Sequence, residues 1–318
     1  MAPREPAGGS MTVTPVAFSS SVQHPTFTSS IPRAICRPYV YARIRNVTVP
    51  EGHTIHRLSK DLRSDLAIGA VKATSPQGRF DHGASLITGK PLLGSEAWGK
   101  HLFLRFSTEA ILHIHLGLIG KFRPQPLDVS PTETVRLRLE GRQAWHLTGP
   151  QKCALVVPDE FVAITDALGP DPLRRGSRRE DLAVGLTNRK TPIAISLLDQ
   201  SVIAGIGNVY RAEFLFLLGI HPERPSCDLK PVEIRNLWDL SVSQLRQGVR
   251  LNRIVTVSQK DSGRTPGRLK PEDSLYVYKR EGPPCRRCAS PIRAVSYTHL
   301  RAHEPPEHRV WRGGLEKK

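Results

Sequence analysis

Two short motifs combine residue types and spacings that suit them to binding chemistry. Cys285 and Cys288 are separated by two residues, a spacing typical of one half of a tetrahedral zinc site. Gly205 and Gly207 flank Ile206 in a turn that precedes a helical pattern. Glycines in such a turn let the backbone approach a phosphate, and the N-terminus of the following helix favours an anion. The two motifs therefore indicate a metal site and an anion site.

Pro50, Glu51 and Lys100 are the candidates for nucleophilic or acid–base chemistry. Pro50 and Glu51 directly precede a helical pattern, and Lys100 follows Gly99 in a loop. Each residue also has an ordinary structural explanation. Proline and acidic residues are both common at the start of a helix, and a lysine in a loop is usually solvated. Taken one at a time, these residues do not establish catalysis.

The charge of the sequence indicates a polyanionic partner. The 318 residues carry a formal net charge of +17. Residues 1–48 contain five arginines and one glutamate, and residues 296–318 contain five basic and three acidic groups, so residues 49–295 retain +11. Nucleic acid is the commonest partner for such a charge, although a merely basic soluble protein would show the same balance. No run of about eighteen apolar residues is present, so we expect no membrane-spanning helix.

The elements that must position these residues differ between the two halves of the chain. Ile55, Leu58, Leu62 and Leu66 recur at helical spacing, which predicts an amphipathic helix just after Gly52. Strand patterns follow at residues 102–106, 111–114 and 135–139. Beyond the Leu-Gly-Pro-Asp-Pro segment at 168–172 the periodicity is helical, with helices predicted at residues 193–198, 209–218 and 232–248. The sequence predicts an α+β protein, with an N-terminal β-sandwich that has a leading helix and a helical second domain.

Residues 1–48 and 296–318 do not share the character of the rest. The first 48 residues are rich in Ser, Thr and Pro and contain one acidic residue. This composition is typical of a transit peptide, or of a segment that is not part of the mature protein. The five cysteines show no disulfide framework, which favours a reducing, intracellular compartment.

Four segments together resemble the formamidopyrimidine-DNA glycosylase and endonuclease VIII family. They occur in the family's order and approximate spacing between Pro50 and Ala294: Pro50-Glu51-Gly52-His53-Thr54, Trp98-Gly99-Lys100-His101-Leu102, His115-Leu116-Gly117-Leu118, and Asp199-Gln200 with Ala204-Gly205-Ile206-Gly207-Asn208-Val209-Tyr210-Arg211. The Pro-Glu-Gly-His-Thr start is most like a bacterial endonuclease VIII-type enzyme. The resemblance implies a β-sandwich catalytic domain at 49–169, a helix–two-turns–helix DNA-binding domain at 170–270 and a truncated zinc ribbon at 271–295.

The resemblance also implies a chemistry for the candidate catalytic residues. A free N-terminal proline, here Pro50, attacks the sugar C1′ of a damaged nucleotide, expels the base and forms a Schiff base. Glu51 acts as general acid and base, and Lys100 approaches the sugar or phosphate and assists β-elimination. At a helix start the proline amine feels the positive end of the helix dipole, which lowers its pKa and keeps part of it nucleophilic.

The remaining implied roles concern DNA and zinc. Leu118 corresponds to the apolar wedge that fills the gap left by a flipped nucleotide, although a leucine in so apolar a segment could equally be a core residue. Asn208, Arg189 and Lys190 contact phosphates. Cys285 and Cys288 form the first pair of a zinc ribbon whose second pair is missing. The resemblance to the family stops after Val295, and we expect residues 296–318 to be an unrelated or artefactual tail. A two-cysteine, two-histidine finger with His299 and His303 is an alternative, although its ten-residue gap is short.

The segment before Pro50 decides whether the chain can act as an enzyme. A proline within a peptide bond has no amine to attack with. We expect residues 1–48 to be an upstream extension, because Val49 stands where the family has its initiator Met and a GTG codon can start translation; a transit peptide cleaved before Pro50 is the alternative. The functional hypothesis is a bifunctional DNA glycosylase and AP lyase that excises oxidised bases, chiefly pyrimidines, as a monomer acting on double-stranded DNA in the bacterial cytoplasm, at the nucleoid. An AP lyase with little glycosylase activity, and a non-catalytic damaged-DNA-binding protein, are the alternatives.

Overall fold

The computed structural model describes residues 39–41 and 50–295, with the backbone alone at 39–41 and 293–295. All of these residues belong to one compact unit. The predictions for the tail at 296–318, for His299 and His303, and for Val49 lie outside the described residues. Within the described ranges no helix is both long enough and apolar enough to cross a membrane.

Ten strands are present in the described residues, nine in the N-terminal half of the chain and one at the C-terminal end of the described range. Their bounds are β1 (Tyr39–Tyr41), β2 (Ala70–Thr74), β3 (Lys90–Trp98), β4 (His101–Phe106), β5 (Ile111–His115), β6 (Lys121–Gln125), β7 (Val135–Glu140), β8 (Ala144–Thr148), β9 (Lys152–Val156) and β10 (Arg293–Val295). The α-helices are α1 (Gly52–Leu66), α2 (Asp81–Ile87), α3 (Pro158–Asp166), α4 (Arg179–Thr187), α5 (Ile193–Ser196), α6 (Asn208–Leu218), α7 (Pro231–Leu251) and α8 (Gln259–Ser262).

Strands β2–β9 form one antiparallel sheet in the order β6-β8-β7-β2-β3-β4-β5-β9. β2 pairs with β7 on one side and with β3 on the other, so it links two four-stranded halves. Side chains from both halves pack into a single core, for example Leu104 and Ile114 from one half and Leu139 and Leu147 from the other. The predicted two-layer sheet domain is therefore observed, and its layers are continuous through β2.

Helix α1 packs its apolar face into this core. Ile55, Leu62 and Leu66 are at most 1% exposed, and Leu58 is 9% exposed. These are the residues whose helical spacing predicted the helix, and their burial holds α1 against the sheet. The N-terminal end of α1 is thereby fixed at the edge of the domain that faces the helical half.

The helical half has its own core, built around α6. Seven consecutive residues of α6, from Val209 to Leu215, are buried, so the helix is enclosed on all sides. It ends at Leu218 because Gly219 adopts a left-handed φ of 65°. α7 begins with Pro231 at its first turn, and Glu233 accepts a hydrogen bond from the amide of Lys230 at 2.7 Å. These local signals explain why the helical predictions for this half were accurate.

The C-terminal end of the described residues forms a tight turn around Cys285 and Cys288. The amide of Ala289 donates to the carbonyl of Cys285, and Ala289 has a φ of 57°. Arg286 pairs with Asp273, and Arg287 pairs with Asp261. The backbone of β10 pairs in parallel with β1, a strand within the segment predicted to be an upstream extension. The described residues contain only this turn of the expected zinc ribbon, so a complete ribbon is not observed among them.

Candidate active site

Three glycines from distant parts of the chain meet where the two halves join. A Cβ atom placed on Gly52 would lie 2.7 Å from the Cα of Gly205, and one on Gly99 would lie 2.9 Å from the Cβ of Ala204. The amide of Gly52 donates to the carbonyl of Gly205 at 2.7 Å. Side chains at these positions would force the segments apart. The glycines thus bring Pro50-Glu51, Lys100 and the turn before α6 to one place.

The turn before α6 is held by Gln200. Its side-chain carbonyl accepts a hydrogen bond from the amide of Gly205 at 2.9 Å, and its Nε2 donates to the carbonyls of Leu198 and Ile206. Gly205 itself has a φ of 91°, which an L side chain rarely adopts. The Asp-Gln and Gly-Ile-Gly pieces of the sequence motif are therefore parts of one braced turn.

The carboxylate of Glu51 is fully buried and caps α6. Its Oε1 accepts a hydrogen bond from the amide of Val209 at 2.7 Å, and its Oε2 accepts from Gly207 at 2.8 Å and Tyr210 at 3.4 Å. Burial raises the pKa of Glu51, while the charge of Lys100 and these three amides oppose the rise. A carboxyl group with a raised pKa can hold a proton closer to neutral pH and deliver it.

Lys100 is electrostatically coupled to Glu51. Burial lowers the pKa of Lys100, the negative charge of Glu51 opposes that change, and the nearby Arg211 reinforces it. Arg211 is completely buried, and it donates to the side-chain oxygen of Asn208 at 2.9 Å and to the carbonyl of Ala194. A lysine with a lowered pKa has a larger neutral fraction, which can accept a proton. The site therefore pairs a group disposed to donate a proton with one disposed to accept it.

Pro50 is buried and lines a cleft of about 580 Å³. The cleft also contains Leu116, Ile119, Arg123 and Trp145 from the sheet domain. Leu118 and Ile119 stand at the tip of the β5–β6 loop beside it, 47% and 65% exposed. An exposed leucine is not part of the core, so the core-residue interpretation of Leu118 is wrong.

One expectation about the turn at 205–208 requires correction. The sequence predicted that the first amides of α6 would be available to a phosphate. Those of Gly207, Val209 and Tyr210 are instead bound to Glu51, because the two segments are packed together by their glycines. Arg189 donates to Asp199 at 2.7 Å, whereas Lys190 is exposed.

Cys285 and Cys288 supply only part of a metal site. Cys285 is 4% exposed, and its sulfur lies 3.5 Å from the amide nitrogen of Arg287. Among the residues that the structure describes, no three potential ligands lie close enough to share a metal ion. Two thiols fit half of a tetrahedral zinc site and do not complete it.

Sequence reasoning missed several residues around the site. Asp171 is buried against His56 and Gly99, but its Leu-Gly-Pro-Asp-Pro context was interpreted only as a domain junction. His101 and His113 lie side by side, with 2.9 Å between Nδ1 and Nε2. Their alternation with apolar residues in β4 and β5 places them on one sheet face together, which the strand period could have indicated.

Two family models match the chain. The formamidopyrimidine-DNA glycosylase N-terminal domain matches residues 49–156, and the formamidopyrimidine-DNA glycosylase H2TH domain matches residues 168–260. The matches cover the sheet domain and most of the helical half. They also contain all three segments that meet at the glycine contact.

Curated and solved proteins show the same similarity. Endonuclease 8 1 of Mycobacterium tuberculosis is 38% identical over 253 residues, which is 78% of this chain and 94% of that protein. Formamidopyrimidine-DNA glycosylase of Ligilactobacillus salivarius is 27% identical over 278 residues, covering 82% and 98%. The structure of Lactococcus lactis Fpg in complex with DNA containing N7-benzyl-Fapy-dG has the same fold, with a TM-score of 0.64, 24% identity, and coverage of 78% and 95%.

Fold, site and sequence thus define a DNA-repair enzyme with a sheet domain and a helix–two-turns–helix domain. The chain belongs to the formamidopyrimidine-DNA glycosylase and endonuclease VIII family. The matches confirm the resemblance found in the sequence. Members of this family are DNA glycosylases that also cleave the strand as AP lyases.

Proposed function

We propose that this protein excises oxidised bases, chiefly pyrimidines, from double-stranded DNA and cleaves the strand at the same site. The observation that carries the proposal is the glycine contact that brings Pro50-Glu51, Lys100 and the start of α6 together beside the cleft lined by Pro50. The similarity to Endonuclease 8 1, higher in identity than that to the Ligilactobacillus glycosylase, supports the pyrimidine assignment.

The first reaction step uses Pro50 as a nucleophile. Its amine nitrogen forms a bond to the sugar C1′ while the bond from C1′ to the base breaks, and the base leaves with the electron pair. Glu51 donates its proton to the ring oxygen O4′, so the sugar opens and an iminium ion forms between Pro50 and C1′. The proton released by the amine restores Glu51 to its protonated form.

The second step cleaves the strand. The iminium ion withdraws electrons from the sugar and makes a C2′ proton acidic. The neutral form of Lys100 accepts that proton, and the bond between C3′ and its phosphate oxygen breaks with loss of the phosphate as leaving group. Water then hydrolyses the iminium ion and frees the proline.

We propose that the active form begins at Pro50, without the upstream extension at residues 1–48 and without residue 49. The proposal follows from the chemistry, because only an unacylated proline has a nucleophilic amine. The start of the N-terminal family match at residue 49 supports it.

Borohydride trapping tests both proposals together. A form starting at Pro50 and the full-length chain are incubated with a duplex that contains one oxidised pyrimidine or one abasic site. We expect a covalent protein–DNA band with the Pro50 form and none with the full-length chain. A trapped full-length chain would contradict the requirement for a free amine, and the absence of trapping in both forms would favour a non-catalytic DNA-binding protein.

We assign DNA contacts to Leu118, Arg189, Lys190 and Asn208. Leu118 is exposed beside the cleft, which suits it to fill the space left by an extruded nucleotide. Arg189 and Lys190 follow α4, and Asn208 starts α6 with its side-chain nitrogen still able to donate to a phosphate. The protein would act as a monomer on chromosomal DNA in the bacterial cytoplasm.

We propose Cys285 and Cys288 as ligands of a structural zinc ion. The geometry of the turn around them supports this role, and no reaction step depends on the ion. Zinc measured in the purified full-length chain should fall on Cys285→Ser and stay unchanged on Cys153→Ser. Loss of zinc on His303→Ala would identify the alternative finger, and a chain that never contains zinc would contradict both.

A further inference from the structure

The linker between the two halves contains a carboxylate that contacts both catalytic segments. Asp171 lies between α3 and α4 and is 3% exposed. Its Oδ2 accepts a hydrogen bond from the amide of Gly99 at 2.8 Å and lies 2.8 Å from Nε2 of His56. Its Oδ1 accepts from the amide of Leu173 at 2.8 Å. A carboxylate only accepts, so Nε2 of His56 is the donor in this pair.

The partners of Asp171 are adjacent to the groups that react. Gly99 immediately precedes Lys100, and its amide has no other acceptor among the hydrogen bonds of the described residues. His56 lies in the second turn of α1, the helix that begins directly after Glu51. Hydrogen bonds to a buried charge are stronger than those between neutral groups, and the loss of the acceptor would leave a buried amide unpaired.

The position of Asp171 is in turn set by the helical half. The carbonyl of Pro170 accepts from the amide of Ala204 at 3.1 Å, and the amide of Gly169 donates to the carbonyl of Gln200 at 2.9 Å. The linker is therefore attached to the braced turn that precedes α6. These two hydrogen bonds are made by the two residues that directly precede the carboxylate that accepts from Gly99.

We propose that Asp171 is a positioning residue that places Lys100 relative to Glu51 and Pro50 when the two halves are joined. The inference rests on the proposed function of Lys100 and Pro50, and it adds a residue that touches neither DNA nor the reacting atoms. A small displacement of a reacting group can cost about a hundredfold in rate. A carboxylate that only stabilised the fold would affect stability without this selective loss.

Single-turnover strand cleavage of an abasic duplex separates these roles. Four proteins are assayed in the form that borohydride traps. They are the parent and the variants Asp171→Ala, Asp171→Asn and Asp65→Asn. Asp65 is a matched control, because it is also buried and accepts a hydrogen bond from Trp145 at 2.8 Å, but it lies in the last turn of α1.

We expect Asp171→Ala to lower the maximal rate by about tenfold to a hundredfold, and Asp171→Asn by less, since Asn retains one acceptor. Binding of a duplex with an uncleavable tetrahydrofuran site should stay within about twofold, because the lost interaction acts on the reacting groups. Asp65→Asn should lower the melting temperature and leave the maximal rate unchanged. A maximal rate within about twofold of the parent for Asp171→Ala, or equal losses in rate and binding, would overturn the proposal.

A second measurement is independent of catalysis. In the full-length chain, hydrogen–deuterium exchange at the amide of Gly99 should be faster in Asp171→Ala than in the parent. If Asp171→Ala does not fold, His56→Phe should slow cleavage, and His56→Gln, which keeps an N–H donor, should restore it. Unchanged exchange at the amide of Gly99 would disprove the contact. Faster exchange at Gly99, combined with the absence of borohydride trapping in every form of the protein, would support the contact and refute the proposed function.

Discussion

At the scale of single residues, Glu51 combines two tasks in one carboxylate. It is disposed to donate a proton because burial raises its pKa, and it caps α6 through three backbone amides. A Gln side chain has the same shape, but it cannot donate a carboxyl proton and it turns an NH₂ group toward amides that need an acceptor. Substitution here therefore acts on chemistry and stability at once.

Glu51→Gln should lower base excision by about a hundredfold or more, the usual contribution of a general acid. The loss should be smaller on a preformed abasic site, where the base has already left and the sugar opens spontaneously. Single-turnover assays of the Pro50 form on both duplexes measure the difference, and thermal melting should show a lower melting temperature. Equal losses on the two duplexes would contradict a role in expelling the base.

Leu118→Ala should weaken binding of a lesion duplex by about tenfold, because a filler that offsets lost base stacking is truncated. The melting temperature should not change, since the side chain is 47% exposed and leaves no cavity. Fluorescence anisotropy measures the binding constant. Val184→Ala is the control, because Val184 is 77% exposed on α4 and has no proposed contact with DNA. A wedge role fails if both variants bind like the parent.

Residue roles were predictable only where a motif spans several residues. The pieces containing Pro50, Lys100 and Asn208 could be recognised because their order and spacing carry information. Asp171 and His56 are 115 positions apart, and nothing in either local sequence reveals that they meet. Their contact follows from the packing of the linker on the turn at 200–204, which is a tertiary property.

At the scale of elements, the β4–β5 hairpin contains three histidines held neutral. Burial lowers the pKa of His101 and of His113 to about 3, and that of His115 to about 4. In the unfolded chain these groups titrate near 6.5, so between that value and about 3 the unfolded state binds more protons. Their contribution to stability is complete above pH 6.5 and is lost as the pH falls through the folded pKa values.

The melting temperature should therefore decrease steadily from pH 7 to pH 4. His113→Phe should flatten part of this dependence, because a phenyl ring keeps the stacking on Phe103 at 4.6 Å between ring centroids and takes up no proton. Circular dichroism melts at a series of pH values test this. A parallel decrease in parent and variant would show that other groups, the carboxylates above all, dominate acid unfolding.

The three segments at the domain contact can pack closely because glycines occupy the positions where they touch. A Cβ on Gly207 would lie 2.6 Å from the carboxyl carbon of Glu51. Gly207→Ala should lower both the melting temperature and the cleavage rate, because the cap of α6 has to move. Gly94→Ala is the control, since a Cβ at Gly94 meets nothing within 4 Å and its φ is not positive. A fully active Gly207→Ala variant would show that the cap is dispensable.

The helices that the sequence predicted share one property. α1, α6 and α7 are long and bounded by proline or glycine, so the local signal and the tertiary structure agree, whereas the helix predicted at 193–198 is shorter than expected, with α5 ending at Ser196. β2, β3, β6, β8 and β9 were not predicted. In β6 (Lys121–Gln125), for example, only Phe122 is buried, so the apolar pattern that marks a strand is missing. β2 in particular joins the two halves of the sheet through pairings that no local pattern encodes.

At the scale of the whole molecule, the strongly positive net charge, most of which lies in residues 49–295, attracts the protein to DNA. Phosphate contacts release counterions, so the affinity for any duplex should fall steeply as salt rises. Lys190→Ala should weaken binding to damaged and undamaged duplexes alike and reduce the slope of log K against log salt by about one. Arg189→Ala should do so less, because Arg189 is paired with Asp199. Binding titrations from 50 to 300 mM salt on both duplexes measure these effects. A change in the affinity for the damaged duplex alone would contradict a phosphate contact by Lys190.

The capping of α6 by Glu51 has a consequence for the fate of a damaged or half-folded chain. Glu51, the group that supplies the proton, receives hydrogen bonds from α6 only when the sheet domain and the helical domain are in contact. A copy of the protein cut in the linker, or trapped before its halves have joined, retains both Pro50 and Glu51, but Glu51 then lacks the contact with α6 that buries it and raises its pKa. We therefore expect a chain whose halves have not joined to be inactive, because its general acid no longer holds a proton near neutral pH.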